Sequence, residues 1–185
     1  MKKTRIIIIK YLAMKKLILL LGICLCVTNI HSQKLETQAL DETGDSFEIR
    51  IKHFNKLFGE TFIPEKVAPL VQKKENATQR SAWREECARK MLTNQLKQIL
   101  KQVGATEGGG LWVTFYIDKT GKVLTVKFMV TSGVYVKLST KMQKELYNIA
   151  MNEKLDPSGY DFDKTHTYAV DGFDLMKRAV EEDKK

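Results

Sequence analysis

Apolar residues recur every three or four positions from Trp83 to Val103. Cys87, Met91, Leu92, Leu96, Ile99 and Leu100 complete the stripe, with Lys, Arg, Gln and Glu on most of the other face. This period predicts an amphipathic helix over 81–103. Ser81 is placed to cap its start, and Gly104 to end it in the left-handed conformation. The period then drops to two. Leu111, Val113, Phe115 and Ile117 alternate with Trp112, Thr114 and Tyr116, which predicts a strand with two unlike faces. Asp118-Lys119-Thr120-Gly121 is turn chemistry, and the return strand runs from Lys122 to about Thr131. Its inward positions, Val123, Val126, Phe128 and Val130, change phase after 123, so a bulge near Leu124-Thr125 is expected.

A second helix is predicted over 139–154, with Met142, Leu146, Ile149 and Ala150 inward and Thr140 and Gln143 at capping-box spacing. Thr165 to Val170 reads as a third strand. Phe47, Ile51, Phe54 and Phe58 predict a helix from Ser46, stopped by Gly59; Phe47, Ile49 and Ile51 also alternate, so a short strand competes there. Pro64 and Pro69 break regular structure, and residues 72–80 are too polar to bury. The expected fold class is α+β. A three-stranded antiparallel sheet carries the 81–103 and 139–154 helices on one face, within a domain spanning 81–176. A loose lead-in (33–45) and a helix with a polar linker (46–80) precede it, and a charged tail (177–185) follows.

Charge changes the picture at the N-terminus. The formal net charge is +9, but Lys2, Lys3, Arg5, Lys10, Lys15 and Lys16 lie in the first 32 residues with no acidic residue among them. Of 31 Lys and Arg, 25 then remain against 22 Asp and Glu, a net of +3. The basic excess therefore gives no support to nucleic-acid binding. The apolar run Leu17–Val27 is too short to span a bilayer, which takes about 20 residues. Basic stretch, apolar run and polar exit together predict a signal peptide over 1–32, cut between Ser32 and Gln33, with export to the periplasm or beyond. Ile23 and Leu25 precede Cys24 and Cys26, so neither cysteine has the small neighbour of a lipoprotein site. Cleavage leaves Cys87 alone, with no intrachain disulfide and an ordinary core to hold the fold.

Leu111-Trp-Val-Thr-Phe-Tyr-Ile-Asp-Lys-Thr-Gly-Lys-Val123, then Val126, Phe128, Val130 and Thr131-Ser132-Gly133, resembles the C-terminal domain of TonB-type proteins. Leu138-Ser139 opens the next helix in the family's manner, and Leu155-Asp156-Pro157 matches its link to the last strand. The resemblance covers about residues 108–175, within an exported protein of Bacteroidetes type. It implies the three-stranded fold and a binding role. It does not imply energy transduction, because the apolar segment is short and the chain has three prolines where a TonB transducer has a long Pro-rich linker.

The candidate chemistry is sparse. Gly108-Gly109-Gly110 precedes a strand, whereas a phosphate loop follows one and opens a helix. Cys87 lies on an apolar stripe, with His53 and His166 as the candidate bases and nothing electropositive nearby to favour a thiolate. Glu85-Glu86 and Asp161/Asp163 lack the apolar setting that raises a catalytic carboxyl. Asp156, Asp161 and Asp163 match no calcium-loop spacing. No cofactor and no metal is expected. The function expected is that of a non-enzymatic exported module contacting another envelope protein by strand addition at the free edge of 165–170, where Thr165, Thr167 and Ala169 offer backbone groups. Trp112 and Tyr116 form the rival contact face, although burial beneath 46–58 is expected for large aromatics. A small-ligand pocket and a hydrolase are the competing classes.

Overall fold

The computed structural model describes residues 34–58, 64–71, 73–106 and 110–181. The expected signal peptide, Gly108-Gly109 and the end of the tail lie outside them. Among the described residues the fold is α+β, with a five-stranded antiparallel sheet and six α-helices. The strands are β1 (Leu35–Ala39), β2 (Ser46–Ile51), β3 (Leu111–Ile117), β4 (Val123–Thr131) and β5 (Ala169–Asp174), in the order β1-β2-β4-β3-β5. The helices are α1 (Phe54–Phe58), α2 (Lys74–Met91), α3 (Asn94–Thr106), α4 (Ser132–Tyr135), α5 (Thr140–Met151) and α6 (Leu175–Glu181).

The expected three-stranded sheet with two helices is thus overturned: two further strands precede it in the chain. β2 pairs with β4 through Phe47↔Val130 and Ile49↔Phe128, so the alternation of Phe47, Ile49 and Ile51 prevails over the helical spacing of Phe47, Ile51, Phe54 and Phe58. Pairing with a half-exposed β4 edge supplies ladder hydrogen bonds that a short helix here would forgo. His53 then adopts a positive φ of 65° and turns the chain, so Phe54 and Phe58 belong to α1 on the opposite face of the sheet. β1 lies in the stretch read as a lead-in and pairs with β2 from Leu35↔Ile51 to Ala39↔Phe47.

The hairpin forms as its pattern requires. Asp118 accepts at Oδ1 from the N–H groups of Thr120 (2.8 Å) and Lys122 (3.1 Å), and Gly121 takes φ 83°. A Cβ on Gly121 would sit 1.9 Å from the Leu155 carbonyl oxygen, so this position is closed to any other residue by packing as well as conformation. The register shifts between Tyr116↔Thr125 and Ile117↔Val123, which leaves Leu124 as the bulged residue and puts Val123, Val126, Phe128 and Val130 on one side.

The long helix is split and starts earlier. α2 begins at Lys74, inside the segment read as too polar to bury, because polar anchors replace apolar ones: Asn76 Nδ2 donates to Val71 O (3.1 Å) and Gln79 Nε2 to Asp156 Oδ2 (2.6 Å). Ser81 is therefore interior to a helix. The break falls at Leu92, whose φ of −77° and ψ of 71° close an inverse γ-turn with Thr93 N–H donating to Met91 O. Thr93 Oγ1 then accepts from Leu96 N and starts α3. Gly104 lies within α3, where a Cβ would meet Met176 Sδ at 3.2 Å. In α5 the capping residue is Ser139, whose hydroxyl accepts from Met142 N, while Gln143 reaches the Leu138 carbonyl. The core lies between the sheet and α2, α3, α5 and α6. Phe115 is fully buried there, 5.0 Å from the Trp83 ring and 5.8 Å from Phe173.

Candidate partner-binding surface

The third strand begins four residues later than expected. Thr165 lies in the preceding loop, where its N–H and hydroxyl both donate to Asp163 Oδ1 (2.6 and 2.7 Å). Thr167 N–H donates to Lys66 O at 2.8 Å, and Tyr168 bridges Val67 in parallel, its carbonyl accepting from Ala68 N. Ala169 opens β5, is fully buried and pairs with Ile117. The backbone expected to await a partner at Thr167 is therefore already occupied by residues 66–68.

The rest of this edge is held by charge. Asp171 has no exposed side-chain surface and accepts at Oδ2 from Arg80 Nε (2.8 Å) and Tyr160 Oη (2.6 Å). At Oδ1 it accepts from Arg84 Nε (2.7 Å) and Nη2 (2.5 Å) and from Gly172 N (2.6 Å). Burial pushes the Tyr160 phenol up, and the adjoining Asp171 carboxylate adds to the shift. α2 is tied to β5 by these bonds.

Trp112 and Tyr116 share the opposite sheet face and part company there. Tyr116 is buried against Phe54 (5.3 Å), Phe58 (5.4 Å) and Tyr168 (5.3 Å), and burial raises its phenol pKa. Beside it Lys127 Nζ lies 2.8 Å from Glu48 and 5.1 Å from the Phe54 ring. Burial opposes the Lys127 charge, but the Glu48 carboxylate and Tyr116 together outweigh it and the pKa rises. Arg50 completes the network through Glu48 (3.0 Å), Glu36 (3.2 Å) and Asn55 (2.9 Å). α1 covers this half of the face.

The other half is bare among the described residues. Trp112 is 41% exposed, its cross-strand partner Met129 46% and Leu40 46%. They line an open recess of about 250 Å³ with Gly110, Thr131 and Asp174. The polar groups at its rim are occupied within the fold. Asp174 Oδ1 accepts from Met176 N and Lys177 N, and Thr131 Oγ1 from Gly110 N. Gly172 leaves room for Trp112, since a Cβ there would lie 3.0 Å from the indole nitrogen and 2.5 Å from Val113 O. Met129 was legible as outward from the phase of its inward neighbours; Leu40 was hidden because its segment carried no strand signal.

The nucleophile and carboxylate candidates take structural roles. Cys87 is buried with Sγ 3.8 Å from Met91 Sδ, and desolvation first, then Glu153, pushes its pKa up to about 12. His166 Nδ1 sits 3.0 Å from Asp161 O within its own loop. Asp156 caps the 3₁₀ turn at Pro157–Gly159 by accepting from Ser158 N. Glu86 pairs with Arg89, and Glu85 with Arg178, on exposed surface. No group of three or more metal-ligating side chains forms among the described residues, and no described helix is long and apolar enough to cross a membrane.

The fold is that of an α+β domain with one sheet face half bare among the described residues. No family model matches the chain, and no curated protein matches it. Among solved structures it is similar to a DUF5043 family protein from Bacteroides uniformis ATCC 8492, at 13% identity over 79% of this chain and 93% of that one, with a TM-score of 0.43.

Proposed function

We propose that the protein is an exported, non-enzymatic binding module that contacts another envelope protein through the Trp112 face. The observation that carries this reading is the cluster of Leu40, Trp112 and Met129, three large apolar side chains exposed side by side around one recess. Its volume falls below the roughly 300–1,000 Å³ of small-molecule sites, which favours a single apolar anchor residue of a partner protein over a ligand. Tryptophan and methionine are both enriched at protein contacts of this kind. The charge and apolar pattern of residues 1–32 supports export. A hydrolase built on Cys87 is disfavoured because its thiol is desolvated and held protonated. The β3–β4 hairpin is the frame that presents Trp112 and Met129.

Protein recovered from its native host should begin at or near Gln33. In pull-downs of that protein from envelope extract, Trp112→Ala should reduce recovery of the bound protein about tenfold or more, as should Met129→Glu. Thr165→Ala, in the loop before β5, should leave recovery unchanged. Equal recovery with Trp112→Ala and wild type, at equal thermal stability, would remove this face as the site.

A further inference from the structure

The two edges of the sheet are treated differently. Thr167 and Tyr168, at the entry to β5, are bonded to residues 66–68, and the Asp171 side chain to Arg80 and Arg84, whereas β1 is hydrogen-bonded to β2 alone among the described strands. Natural sheets blunt free edges with lysine, proline or a bulge. β1 has none of these, and its one charge, Glu36, is bound inward to Arg50 at 3.2 Å. The residues Thr37, Gln38 and Ala39 are exposed.

The direction of the free groups follows from the ladder. Leu40 N donates to Ser46 O, and Lys52 N donates to Lys34 O. Even-numbered residues of β1 therefore face β2, and Leu35, Thr37 and Ala39 direct their three N–H and three C=O groups away from the sheet. A two-fold axis through Thr37 would set Thr37 opposite Thr37 of a second copy, and Leu35 opposite Ala39. Every outward group of both strands then finds a partner. Shifting the axis by one residue, to Gln38, keeps Thr37 opposite Ala39 but leaves the outward groups of Leu35 without a partner in β1. Shifting it by two, to Ala39, leaves those of Leu35 and Thr37 without one. Side chains agree with this register. Glu36 falls opposite Gln38 and threonine opposite threonine, with no like charges across the seam.

We propose that a second copy of this chain pairs with β1 antiparallel about Thr37, continuing one sheet into the other. Five-residue strands bury less than the roughly 1,200 Å² of a standard stable interface, so the dimer is weak and concentration-dependent. The axis stands perpendicular to the sheet, so both Trp112 recesses open on the same side. A partner with two anchors would then gain avidity from both.

Sedimentation of the host-processed protein over roughly 1 μM to 1 mM should show a monomer–dimer equilibrium. Thr37→Pro removes an outward N–H that β2 does not use, and should abolish the dimer with the thermal melt retained. Gln38→Glu keeps an acceptor for Arg50 but opposes Glu36 across the seam; it should weaken the dimer about tenfold at low salt and less at high salt. Across the axis the Thr37 Cα atoms come within about 5.5 Å, inside disulfide range. Thr37→Cys should therefore cross-link on mild oxidation, whereas Leu35→Cys, about 14 Å from its equivalent, should not. A wild-type monomer throughout the range would overturn the proposal, as would a dimer untouched by Thr37→Pro. If the proline variant does not fold, the cysteine pair decides, and equal cross-linking of both cysteines counts against the register.

Discussion

Asp171→Asn tests whether charge, rather than apolar burial, fastens α2 to the edge of the sheet. The carboxylate accepts from five donors, and its side chain has no exposed surface. Asparagine can keep a carbonyl oxygen where Arg84 and Gly172 donate. It then presents its amide N–H₂ to Arg80 Nε, which can only donate, and to Tyr160 Oη, which must turn from donor to acceptor. Breaking a buried ion pair from one side costs about 3–5 kcal/mol. The arginine side chains are 18% and 28% exposed, so water recovers part of that, and about 3 kcal/mol is expected. With a urea slope of about 2 kcal/mol/M, the midpoint should fall by about 1.5 M. Tyr160→Phe removes one hydrogen bond and leaves the ion pairs whole, so it should cost about 1 kcal/mol. Urea melts followed by circular dichroism measure both. An asparagine variant within about 1 kcal/mol of wild type, or a phenylalanine variant equally destabilised, would refute the claim that the arginine pairs hold this edge.

Leu96 is 1% exposed on α3, so Leu96→Ala should cost about 2–5 kcal/mol, against about 0.5 kcal/mol or less for the exposed neighbour Gln98→Ala. Equal costs in the same melts would show that α3 buries a different face. The Cys87 thiol should resist alkylation at pH 8.5 in the native protein and react fully after denaturation, as read by peptide mapping. Its folded pKa is raised, so its contribution to stability is complete below the unfolded value of about 8.5 and is lost as pH climbs toward about 12. Cys87→Ala should accordingly flatten the alkaline limb of the stability profile, and an unchanged limb would contradict the shift.

Hydrophobic period alone determined the elements that are local. The β3–β4 hairpin needs only alternation, a turn that Asp118 and Gly121 complete within five residues, and a phase change that places the bulge at Leu124. Most inward residues of α3 and α5 were legible for the same reason, since a helix writes its buried face every three or four positions. Ile149, however, is only half-buried, and Tyr147, outside the expected set, is buried. The break between α2 and α3 also had a local signal, the capping residue Thr93, but the continuous apolar stripe masked it. Tertiary structure decided what depends on residues far apart. Ser46–Ile51 satisfies two periods, and its pairing with β4, some eighty positions later in the chain, selects the strand. Residues 74–80 have almost no apolar stripe, and they are helical because Arg80 meets Asp171 and Gln79 meets Asp156. β1 is polar and short, and the unsatisfied edge of β2 gives it a reason to be a strand. The fate of the Trp112 face had the same origin. Alternation put Trp112 and Tyr116 on one side, but only the turn at His53 determined that α1 would cover Tyr116 and leave Trp112 in the open.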